Sequence, residues 1–210
     1  MNKMVSLILG LSFLTAGLKA HPVSYKGAVS VMSMNQANMS DQWIHYSLTP
    51  RFSVGVRSIR LTEGSQDSWS HLSQFGLLVK RWNYDNFQAN IYTFGGIGAH
   101  TYQDRNGFAA LGGAKADIES RKYLFSQTYE ALLQSKAKDF HRYTTRAGIA
   151  PYIADYDQLH TWLMVEYQFK PGYQRQHDVL PLLRFFYKNV LWEVGSSIKG
   201  EWLANFMVHF

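Results

Sequence analysis

From about residue 26 to its end the chain repeats one pattern. Segments of roughly 8–12 residues carry an apolar side chain at every second position and are separated by turn-forming residues. A period of two sends alternate side chains to opposite faces of a strand. Twelve segments read this way: 26–34, 41–49, 52–62, 71–81, 87–98, 107–118, 122–133, 141–152, 158–169, 178–187, 189–197 and 199–210. In 158–169, Leu163, Val165, Tyr167 and Phe169 alternate with Trp162, Met164, Glu166 and Gln168. Segments 107–118 and 189–197 carry the faintest alternation, and without them ten strands would remain. After residue 20 no apolar run approaches the roughly 18 residues that a membrane-spanning helix requires. The chain therefore reads as all-β.

Alternation alone is compatible with two opposite architectures. In a soluble sandwich the apolar set points inward and the charged set outward. In a transmembrane barrel the apolar set meets lipid and the polar set fills the lumen. Composition favours the second. Aromatic residues make up 15% of the chain, with 13 Tyr, 13 Phe and 6 Trp, yet mean hydropathy is slightly negative. Aromatics gather near segment ends (Tyr46, Trp82, Tyr84, Tyr123, Tyr143, Tyr187), as interfacial girdles require. The chain has no cysteine, so disulfides cannot hold the fold, whereas closing a sheet on itself removes every edge.

The first twenty residues, "MNKMVSLILGLSFLTAGLKA", read as a secretory signal peptide: Lys3, then an apolar stretch, then small residues and Ala20. This predicts residues 1–20 as a leader and 21–210 as one barrel domain. Connections after odd segments are long and polar ("NQANMS", "EGSQDSWS", "HTYQDRN", "SKAKDFH", "KPGYQRQHD"). Those after even segments are tight ("TPR", "NYDN", "ESR", "ADYDQ", "YKN"). Such alternation predicts an up-and-down antiparallel β-barrel of about twelve strands with both termini at the short-turn end. The final segment, "WLANFMVHF", resembles the C-terminal strand of Gram-negative outer-membrane β-barrels, in which alternate apolar residues end on Phe. The resemblance implies insertion in the cell outer membrane, with Trp202, Phe206, Val208 and Phe210 as the signal for the barrel-assembly machinery. It also implies outer-membrane lipid and lipopolysaccharide as surroundings.

If the phases hold, the interior receives His45, Arg57, Lys80, Lys115, Asp117, Glu119, Glu130, Arg146, Glu166, Arg184, Glu193, Glu201 and His209. Of these, Arg57, Lys115, Asp117, Glu119, Arg146, Glu166, Arg184 and Glu193 are the candidate lumen or pore residues. The set is nearly balanced, so it can either pair internally and fill the lumen or line a narrow channel or binding barrel for a small polar solute. Arg57, Arg146 and Arg184 would favour anions if they shared one wall. A second function class is metal-ion handling of the copper type. His21 would begin the mature chain, and Met32, Met34 and Met39 lie close together in the first hairpin, where thioethers prefer Cu(I). A third class is a lipid-modifying enzyme, which needs a Ser beside a His. Its candidates are His45 with Ser47, His71 with Ser70 or Ser73, and His160 with Thr161, and no GxSxG elbow supports them. Glycines in "GGIGA" and "ALGGA" lack the Lys-Ser/Thr of a phosphate loop and read as relief of crowding. No cofactor is implied. The formal net charge of +6 is spread without a basic block, so nucleic acid is not an expected partner.

Overall fold

The computed structural model describes residues 25–210. The leader and His21 lie outside the described residues. Twelve strands follow in order: β1 (Val29–Gln36), β2 (Met39–Thr49), β3 (Phe52–Glu63), β4 (Gln66–Asn83), β5 (Phe87–Tyr102), β6 (Arg105–Ser120), β7 (Tyr123–Gln134), β8 (Phe140–Ile149), β9 (His160–Phe169), β10 (His177–Tyr187), β11 (Val190–Ser196) and β12 (Trp202–His209). Each pairs antiparallel with its chain neighbour, and β1 pairs with β12, so the sheet closes. All twelve segments expected from the alternation are strands, including the two faintest, β6 and β11.

Closure at the seam extends past the last strand. Phe210 N donates to Val29 O at 2.8 Å, and Val29 N donates to Phe210 O at 3.2 Å. The terminal residue thus completes the ladder, while its side chain, like those of Trp202 and Phe206, is exposed on the outer face. Deleting Phe210 removes this pair of closing bonds. We expect it to lower the yield of folded, heat-modifiable barrel, and normal yields would count against a role in assembly.

The connections differ from the expected scheme. Three of the long polar stretches are mostly strand, because β1, β2 and β4 to β6 extend beyond their predicted ends at the loop side. The pairs Ala37-Asn38, Gly64-Ser65 and Gln103-Asp104 make the actual turns. Gln103 and Asp104 both have positive φ (50° and 59°), the primed-turn geometry whose twist matches the strands it joins. The longest connection, 150–159, lies instead at the end where the termini meet. The short "SSIKG" link closes on itself, with Ser197 N donating to Glu201 O at 2.6 Å and Gly200 at φ 85°.

The outer wall is apolar. Ile44, Val56, Phe75, Ile97, Phe125, Leu163, Val165, Leu183, Val194 and Phe206 are all exposed there, and the girdle aromatics Tyr46, Trp82, Tyr84, Tyr123, Tyr143 and Tyr187 are exposed too. This is the inverse of a soluble sandwich. One sector departs from it. On the outer face of β1 and β2, Asn35 bonds Ser33 (2.8 Å), Ser40 (2.8 Å) and Gln42 (3.2 Å), so these polar groups satisfy one another. A bulge between Leu78 and Lys80 shifts the phase of β4. As a result Lys80 faces outward, contrary to the sequence expectation, and Arg81 takes the inward position, donating to buried Asn90 at 2.7 Å.

Candidate functional site

The interior has three zones. Toward the loop end, remote from the termini, inward side chains of β2 to β8 pack into an apolar layer: Met39, Ile59, Leu61, Leu72, Phe94, Ala109, Leu111, Leu132 and Phe140. Room for Phe94 exists because position 113 is glycine, where a Cβ would stand 2.3 Å from the ring. The β9–β10 connection folds onto this layer. Tyr173 sits edge-on to Phe140 at 5.3 Å, with Lys138 Nζ 4.6 Å from its ring centre. Lys138 also donates to Gly172 O and pairs with Glu63 at 3.5 Å. Burial, with Glu63 and Asp139 nearby, pushes the Tyr173 hydroxyl up to about 12, so this cap stays neutral.

Beneath the apolar layer, charges cross the lumen. Asp41 on β2 accepts from Arg57 Nε (2.8 Å) and Nη2 (2.6 Å) and from the Trp43 indole. Arg57 lies 4.0 Å from the Trp43 ring centre and also reaches Glu130 on β7 at 3.0 Å. Arg142 on β8 holds Glu130 at 2.6 Å and approaches Asp41 at 3.9 Å. Strands β2–β3 and β7–β8 lie on opposite sides of the barrel, so these four residues form a strut across its width. A second set runs along the wall of β8 to β12. Arg146 pairs with Glu166 and with Glu193 (3.1 Å), while Glu193 also accepts from Arg184 (2.7 Å) and Asn205 (2.7 Å). A third set joins Lys115 to Asp117 at 3.3 Å and Asn90 to Asp117 at 2.7 Å.

The remaining space is a cavity of about 1720 Å³ that reaches from the terminal end to this strut and, along β1, as far as Gln36 beside the β1–β2 turn. At its mouth stand Tyr25, Tyr84, Asp85, Tyr156 and Asp157, and its inner reach touches Met39, Trp43, Phe94, Glu130 and Arg142. The β8–β9 connection is tied over the mouth by Arg121, which donates to Ala154 O at 3.1 Å, and by Lys188 N donating to Tyr156 O at 3.3 Å. The site this barrel offers is a vestibule that mixes apolar side chains with paired charges, with its mouth at the terminal end and its far side narrowed by the strut and the apolar layer.

The barrel is similar to the solved structure described as "KdgM porin in complex with disordered oligogalacturonate", at 10% identity over 87% of this chain and 98% of that one, with a TM-score of 0.51. The fold is that of outer-membrane β-barrels. At 10% identity the likeness extends to the fold alone. Similarity to LpxR from Salmonella typhimurium is weaker, at 7% identity and a TM-score of 0.45 over 87% of this chain and 99% of that one. No protein-family model matches the chain, and no curated protein matches it.

Of the residues singled out in the sequence, Lys115, Asp117, Glu119, Arg146, Glu166, Arg184 and Glu193 line the vestibule. Arg57 is buried behind it in the strut. Arg57 lies on β3 and Arg146 and Arg184 on β8 and β10, so the three arginines do not share a wall, and each is bound to a carboxylate. Glu201 is not in the lumen: it sits in the β11–β12 turn and pairs with Arg175. Met32, Met34 and Met39 all line the vestibule. Among the described residues no group of three or more His, Cys, Asp or Glu side chains could hold a metal ion.

The pleat separates only the adjacent candidates: Ser70 points inward to His100 (3.1 Å), while His71, one residue on, points outward to Ser58 (3.0 Å). His71 shares the outer face with Ser73, and His45 and Ser47 are both buried on the inner face and line no part of the cavity. Buried Ser30 meets buried His209 at 2.6 Å. Neither the Ser70–His100 nor the Ser30–His209 pair lines the vestibule. Sequence reasoning missed Asp41, Trp43, Arg81, Arg142 and Tyr173. Arg142 shares the inward phase of Arg146, and Asp41 and Trp43 share that of His45, so these three were available to it. Arg81 depended on a bulge and Tyr173 on a loop fold.

Proposed function

We propose that this protein is an outer-membrane barrel that binds a small polar solute in its periplasm-facing vestibule and passes it through a narrow, gated path. The observation that carries the reading is a closed barrel with an apolar skin around a large cavity whose wall sets charged groups among apolar side chains. The apolar skin supports insertion in lipid, where every backbone group must be satisfied within the barrel. The strut and the Tyr173 cap supply the gate.

The cavity is lined by eight carboxylates and five cations, a pattern that supports a neutral or cationic solute. The solved KdgM porin structure holds an oligogalacturonate, an acidic sugar chain. A polyanion would be drawn to uncompensated cations, whereas Arg142, Arg146 and Arg184 here are each held by carboxylates within 3.2 Å. Desolvated ion pairs of this kind organise a surface without giving it a strong net field.

Planar-bilayer recording of the refolded mature protein tests this. We expect small, intermittent openings with a modest cation preference, because carboxylates outnumber cations on the cavity wall. Glu193→Gln should shift the reversal potential toward anions, because Arg146 and Arg184 lose a shared partner. A large, steady wild-type current, or an anion preference before mutation, would contradict the gated, carboxylate-rich lumen.

A further inference from the structure

The chain has seven methionines, and barrel closure brings together residues that the sequence places at opposite ends. Met32 on β1 is the register partner of Met207 on β12. Met34 is the next inward position along β1, beside Asn205 of β12. All three line the vestibule. Directly opposed residues on one face of a sheet have Cβ atoms about 5 Å apart, and same-face neighbours along a strand are about 7 Å apart. Methionine has three rotatable bonds beyond its backbone, so three thioethers anchored at these spacings can turn toward one point.

The ordinary role of inward methionine is to fill gaps in an apolar core. The other two methionines of the barrel fit that role. Met164 belongs to the apolar cluster with Trp162, Leu180 and Leu182. Met39 belongs to the layer under Tyr173, and its sulfur already accepts an N–H from Arg142 at 3.2 Å. Met32, Met34 and Met207 belong to none of the three apolar clusters. They face instead a cavity that also carries the charges of Glu193 and Arg184.

A neutral, polarizable thioether is a poor ligand for hard divalent ions and a good one for soft monovalent ions. We propose that Met32, Met34 and Met207 form a three-thioether site for a soft monovalent cation, Cu(I) or Ag(I), on the inner wall where β1 closes on β12. The site rests on the vestibule reading in one respect: the cation must enter from the terminal end. It does not depend on passage through the gate.

The test uses refolded full-length mature protein in detergent, with Ag(I) as a redox-silent probe and Cu(I) under ascorbate. Equilibrium dialysis should give one cation per barrel, and X-ray absorption should show sulfur as the nearest neighbour. The double variant Met32→Leu/Met207→Leu nearly conserves volume and should lose the cation while keeping its heat-modifiable migration. Met164→Leu should bind as the wild type does. No Ag(I) on the folded wild type, oxygen or nitrogen neighbours, or undiminished binding by the double variant would each overturn the site. Bilayer recordings separate this from the solute reading: metal binding without any openings would sink the passage and leave the site standing, and openings without metal binding would do the reverse.

Discussion

Arg57→Met is expected to cost the barrel about 3–5 kcal/mol, because it removes one partner from a buried charge set. The guanidinium holds both oxygens of Asp41, reaches Glu130 and lies against Trp43. Without it two carboxylates face each other across the lumen with Arg142 as their remaining cation. Both are almost fully buried, so water cannot compensate. Arg60→Met is the matched control. Arg60 pairs with Asp67 at 3.9 Å on the exposed surface, where an ion pair contributes about 0–1 kcal/mol. Folding equilibria in urea with lipid vesicles would measure both. Equal costs would mean that Arg57 is not the keystone of a buried strut.

Val165→Arg should destabilise by about 2–4 kcal/mol, the penalty for a cation facing the bilayer midplane from a barrel wall. Val165 is 49% exposed, and its register partners Ala147 and Pro181 also belong to the outer wall. Gln88→Arg gives the comparison, because Gln88 lines the vestibule and an added cation there meets its register partner Glu119. The cost should be large for the first and small for the second. The opposite order would mean that inside and outside are reversed.

The strands were legible because a half-buried sheet imposes a period of two on every segment, even where seven of the sixteen residues of β6 are glycine or alanine. Phase was legible for the same reason until a bulge intervened. Lys80 was misplaced because the bulge after Leu78 uses one extra residue, and no residue type in "GLLVKRW" announces it. Loop lengths failed differently. "EGSQDSWS" and "HTYQDRN" are polar because they stand beyond the apolar band, and polarity outside lipid does not distinguish a strand from a loop. Contacts across the lumen were out of reach altogether. Which arginine meets which carboxylate, and that Met207 meets Met32, depends on strand stagger around the closed sheet, a quantity that alternation does not encode.

The claim that most needs testing is that the lumen opens toward the termini and is stoppered toward the loops. Since the chain contains no cysteine, a single Thr128→Cys substitution gives one thiol on the vestibule wall. The measurement is its rate of modification by a membrane-impermeant maleimide, added from either side of oriented proteoliposomes. We predict rapid labelling from the terminal side and little from the loop side. Equal labelling from both sides would show an open pore, and labelling from the loop side alone would contradict the architecture proposed for the site.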